Sequence, residues 1–148
     1  PYPDPESTGA FVGLTSRHTR GDLALAVLEG VTYSMAMMLD VVRSVGQPIY
    51  KVRLSGAGNQ SLFWRQLQAD IYACPVETTN TEEGGCALGA AILAMVGSGM
   101  YTHVGQACKT CVRVVERLEP DSQLQSIQEH RKRKFSKLYP TLSGFSRA

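Results

Sequence analysis

The chain has 148 residues, 43% of them hydrophobic, which is enough for one globular domain with its own core. Fifteen Lys and Arg against thirteen Asp and Glu leave a formal charge of +2, too even a balance for binding that rests on neutralising nucleic-acid phosphates. The uncharged run from Ala87 to Val96 is half of the roughly 20 apolar residues a bilayer crossing needs, so no membrane span is expected.

The opening Pro1-Tyr2-Pro3-Asp4-Pro5 has no initiator Met, basic n-region or apolar h-region, so it does not read as a signal peptide and suggests a piece of a longer chain. Gly9-Ala10-Phe11-Val12-Gly13-Leu14 is a short apolar run between turn-forming residues, predicting a buried strand. Thr19 then offers a hydroxyl at a helix N-cap and Asp22 a carboxylate in the first turn. The stretch from Asp22 to Val45 lacks Pro, and Asp22, Glu29, Asp40 and Arg43 fall on one stripe with Thr32 and Tyr33 beside it. All else on that helix is apolar or small, which predicts a sandwiched helix wet along that one edge. Gly46 and Pro48 end it.

Ile49 to Leu54 has the β-branched and aromatic content of a strand and leads into Ser55-Gly56-Ala57-Gly58-Asn59-Gln60-Ser61. Phe63, Leu67 and Ile71 recur at helical spacing over 62–73, Cys74 to Glu77 reads as a third strand, and Cys86 to Met95 as a small-residue helix. Strand and helix alternate, an α/β pattern with helices covering a sheet. Two further helices are expected, Val104 to Arg113 and Asp121 to Tyr139, bounded by Pro120 and Pro140. The basic run His130 to Lys134 lies beside Leu124, Ile127, Phe135 and Leu138, so it reads as a solvated helix face and not a nucleic-acid patch.

Cys74, Cys86, Cys108 and Cys111 lack the regular spacing of a secreted disulfide framework, which favours a reduced, cytoplasmic setting. Cys108 and Cys111 form a C-x-x-C, but a tetrahedral zinc site needs a second ligand pair and only His103 is near in sequence; two half-buried thiols on one helix are the simpler reading.

A glycine-rich turn between strand and helix lets a ligand approach the backbone, and the first-turn N–H groups point outward at it. Gly56-Ala57-Gly58-Asn59-Gln60-Ser61 approaches the dinucleotide fingerprint, with Ser61 in place of its third glycine and Glu77 at the end of the next strand. A dinucleotide-binding domain and a ligand-free turn are both open on this motif alone.

The spacing Gly9-Ala10-Phe11-Val12-Gly13-Leu14, then Asp22-Leu23, then Ala26-Val27-Leu28-Glu29 resembles the C-terminal signature of the FGGY carbohydrate kinases. Within that family the longer string from Gly13 to Val31 is most similar to the xylulose kinases. Gly56 to Ser61, Trp64, Gln66, Ala69-Asp70, Pro75-Val76, Leu88 to Ala91 and Leu138-Tyr139-Pro140 follow in the same order, so the resemblance covers nearly the whole chain.

The resemblance implies the second, C-terminal domain of the actin, hexokinase and heat-shock-protein (ribonuclease H-like) fold, a mixed sheet flanked by helices. Residues 9–148 would form that domain, and residues 1–8 a linker from an upstream region. It implies ATP and ADP as ligands, Mg²⁺ carried on the nucleotide phosphates, and backbone from Gly56, Ala57, Gly58 and Asn59 lying against adenine and ribose. The family's usual turn has three successive glycines and an alanine, from which Ala57 and Asn59 depart.

The sugar, D-xylulose or another sugar or polyol such as ribulose or glycerol, would be held mainly by the first domain, and the catalytic Asp precedes the matching region. The chain alone is therefore expected to hold nucleotide without phosphorylating sugar. An apolar face left by the absent domain would favour self-association as a homo-oligomer. The dinucleotide reading weakens, because a long helix and a strand precede the glycine turn, which therefore does not open the β-α-β unit.

Overall fold

A computed structural model of the chain describes residues 4–56, 60–81 and 85–144. The elements in order are α1 (Arg20–Ser44), β1 (Val52–Arg53), α2 (Leu62–Tyr72), β2 (Val76–Thr79), α3 (Gly85–Gly97), α4 (Val104–Cys111), β3 (Val114–Leu118), α5 (Gln125–Ser136) and α6 (Leu138–Leu142). They form two compact units: one holds α1, the end of α2, α5 and α6; the other holds the three strands, residues 62–69 of α2, α3 and α4.

In the first unit, α1 begins as the sequence predicts. Thr19 and Asp22 close a capping box in which the Thr19 amide donates to Asp22 Oδ2 at 2.8 Å and the Asp22 amide to Thr19 Oγ1 at 3.3 Å. The helix stops before Gly46, at φ +79°.

Its faces are the reverse of the expectation. Beyond exposed Asp22 the polar stripe packs inward: Glu29 meets Arg131 at 2.7 Å, Asp40 meets Lys132 at 2.8 Å, and the Tyr33 hydroxyl donates to Gln128 Oε1 at 2.6 Å. Tyr33 also sets its ring 5.6 Å from that of Phe135, and Thr32 and Ala36 are buried beside it. Val27, Val31, Met35, Met38, Val41 and Val42, on the opposite side, are exposed. A polar stripe faces water only if nothing of opposite charge covers it; here α5 presents Arg131 and Lys132 to it. By length and composition α1 is also long and apolar enough to cross a membrane. Its charged stripe is instead paired with α5.

The predicted strand 9–14 is irregular backbone, with Phe11, Val12 and Leu14 exposed. A strand exists only within a ladder, and among the described residues none pairs with this run. It lines a groove of about 1000 Å³ with Val27 of α1 and Phe135 of α5.

Asp70 is 5% exposed and accepts the Asp121 amide at 2.8 Å. Arg43 donates to the Tyr72 carbonyl at 2.8 Å, satisfying an end carbonyl of α2 just before Ala73, which takes φ +51° where glycine is usual. The last predicted helix divides into α5 and α6, and Pro140 lies in the first turn of α6, where its missing N–H costs no helical bond.

In the second unit the sheet is mixed, in the order β1-β2-β3. β1 runs parallel to β2, with Val52 beside Val76 and Arg53 beside Glu77, and β3 runs antiparallel, with Arg117 beside Glu77. Central β2 is buried throughout, Val76 to 1% exposure. β3 is absent from the sequence reading, which ended a helix at Arg113 and began the next at Asp121. Asn80 holds its start: the side-chain amide donates to the Cys111 carbonyl at 3.1 Å and its oxygen accepts the Arg113 amide at 2.7 Å. Arg65 of α2 pairs with Glu116 at 2.8 Å, and Gln66 donates to the Glu119 carbonyl at 2.9 Å.

Candidate functional site

The candidate site is the turn that follows β1. Val52 donates to the Pro75 carbonyl and Leu54 to the Glu77 carbonyl, each at 2.9 Å, so β1 is a short strand tied to β2 up to the turn. Gly56 takes φ +100°, and a Cβ built there meets nothing within 4 Å. Glycine is favoured by the backbone angle, and among the described residues nothing crowds that position. Ala57, Gly58 and Asn59, the other residues assigned to nucleotide, lie outside the described residues.

Beyond them Ser61 Oγ accepts the Trp64 amide at 3.4 Å as α2 begins. The start of α3 adjoins the turn, since a Cβ on Gly85 would stand 3.4 Å from Ser55 Oγ.

Behind the turn stands a charge cluster that the sequence reading missed. Glu77, read as a polar strand end, has a side chain only 4% exposed. Its carboxylate meets Lys51 at 2.9 Å, Arg53 at 3.3 Å and Arg117 at 3.2 Å, and Arg117 also meets Glu119 at 2.7 Å. The alternation Lys51-Val52-Arg53-Leu54 puts both cations on one face of β1 and was legible; the third cation needed β3. Hydrogen bonding from Lys51, then from Arg53, holds the Glu77 carboxyl below the ordinary value of 4.5 despite burial.

A depressed carboxylate contributes stability that is present above 4.5 and lost as pH falls through its lower folded value. Melting measured between pH 7 and pH 3 should therefore fall more steeply for the native chain than for Glu77→Gln; parallel curves would show that this carboxylate carries none of the acid sensitivity.

Among the described residues no group of three or more His, Cys, Asp or Glu could hold a metal ion. Cys74 is buried, Cys86 exposed, and Cys108 and Cys111 are half-buried on α4, all as free thiols.

The mixed sheet flanked by helices makes this an α/β fold, and comparison with solved structures identifies it as the actin/hexokinase-like fold of sugar kinases. The crystal structure of xylulose kinase from Rhodospirillum rubrum superposes with a TM-score of 0.83 at 31% identity, over 98% of this chain and 29% of that one. Residues 1–98 match the C-terminal domain of the FGGY family of carbohydrate kinases. The chain belongs to that family.

Among its curated relatives, xylulose kinase of Staphylococcus epidermidis is 35% identical over 129 residues, 87% of this chain and 26% of the relative. Glycerol kinase of Methylibium petroleiphilum is 39% identical over 106 residues, 68% of this chain and 21% of the relative. The chain thus spans less than a third of the length of each of these proteins.

Proposed function

We propose that the chain is the nucleotide-holding part of an ATP-dependent sugar kinase acting on D-xylulose. The observation that carries this reading is the glycine turn, opened by Gly56 at φ +100° and crowded by none of the described residues, inside the segment that matches the kinase family. Main-chain groups of Gly56, Ala57, Gly58 and Asn59 would lie against adenine and ribose. Mg²⁺ would ride on the nucleotide phosphates, where it neutralises charge developing during in-line phosphoryl transfer. This chain contributes positioning of the adenosine and no catalytic group, so incubation with MgATP and D-xylulose should give no phosphorylated sugar.

Xylulose is favoured over glycerol because the Staphylococcus epidermidis xylulose kinase aligns over 87% of the chain, against 68% for the glycerol kinase. In this reading residues 9–148 are the domain and residues 1–8 its linker. The protein works in the reducing cytoplasm, where four free thiols stay reduced. Thermal shift with ATP, ADP and NAD tests the class: adenine nucleotides alone should raise the melting temperature. Stabilisation by NAD alone would favour a dinucleotide-binding domain, and none by any of the three would favour a scaffold.

A further inference from the structure

We infer that Glu77 is a positioning residue for nucleotide: through Lys51 and Arg53 it anchors the strand that presents the glycine turn. The inference rests on the nucleotide reading above. β1 has two residues in the ladder, and two main-chain bonds bracket it, Val52 to Pro75 and Leu54 to Glu77. Two residues hold a strand weakly, because each end frays without neighbours to continue the ladder.

The Glu77 carboxylate supplies the remaining hold. It is buried, it lies beside Arg53 in the parallel register, and it takes Lys51 from the strand's beginning and Arg53 from its end. Arg53 is three residues from Gly56, so any drift of β1 moves the turn directly. Arg117 approaches the same carboxylate from β3 and ties the opposite side of β2. Burial makes the carboxylate dependent on these cations, and each of them, being half-exposed, can be removed without emptying the core.

The two sides give the test its contrast. Hydrogen exchange and ADP titration would be measured on the native chain, Glu77→Gln, the double variant Lys51→Met/Arg53→Met, and Arg117→Met. Glu77→Gln and the double variant should exchange the amides of Val52 and Leu54 at least tenfold faster and bind ADP at least tenfold more weakly. Arg117→Met should change both by less than twofold at these positions.

If Glu77→Gln fails to fold, the double variant against Arg117→Met still decides. Unchanged exchange in the double variant, or an equal effect from Arg117→Met, would overturn the anchoring role, since general loss of stability would not distinguish the two sides. Failure of the native chain to bind ADP would overturn the nucleotide reading itself, and the exchange measurement would still report on the anchor.

Discussion

Tyr33→Ala is expected to destabilise the unit built on α1 and α5 by about 3–5 kcal/mol, the range for removing a buried aromatic side chain. Tyr33 is 4% exposed, its ring packs on Phe135, and its hydroxyl donates to Gln128 Oε1, itself buried. Truncation removes the ring contacts and leaves a buried acceptor without its donor, and both effects act in the same direction. Burial first, and then the Glu29 carboxylate, push the phenol up to about 12, so the hydroxyl stays protonated and donating at any ordinary working pH. Tyr33→Phe separates the parts: it keeps the ring and should cost about 1–2 kcal/mol. Chemical denaturation followed by circular dichroism checks both. Equal losses for the two variants would place the whole contribution in the hydroxyl and contradict the packing account.

The second large effect is expected in the sheet. Val76→Ala should cost about 2 kcal/mol, since Val76 is 1% exposed at the centre of β2 with Val52 beside it on one strand and Leu118 on the other. Val115→Ala, on β3 but 68% exposed, should stay within about 0.5 kcal/mol. The pair is matched in chemistry and differs in burial, so a similar loss at both positions would show that β2 is not the core of its unit.

The elements whose signals are local were legible in the sequence. The capping box at Thr19 and Asp22, the Gly46 stop, α2, α3, α4 and the glycine turn all follow from caps, periodicity and turn chemistry. Features set by a distant partner were not legible. The 9–14 run has a strand's composition, but pairing requires a neighbour and composition does not supply one. The stripe on α1 was correctly placed yet assigned to water, because its burial depends on Arg131 and Lys132, about a hundred positions along the chain. β3 was missed because Val114-Val115-Glu116-Arg117-Leu118 is short and charged, and its place against buried β2 comes from the fold. At the candidate site the glycine of the turn stands out in the sequence by its type, whereas the Glu77 cluster does not, because its members come from three strands.

In the proposed function the turn opened by Gly56 holds adenine nucleotide through its backbone. Calorimetric titration of ADP into the native chain and into Gly56→Val tests it most directly, because a β-branched residue is strained at φ +100° and would displace the turn. One saturable site per native chain is expected, with at least tenfold weaker binding by the variant and its circular dichroism unchanged. No binding by the native chain, or equal binding by both, would contradict it.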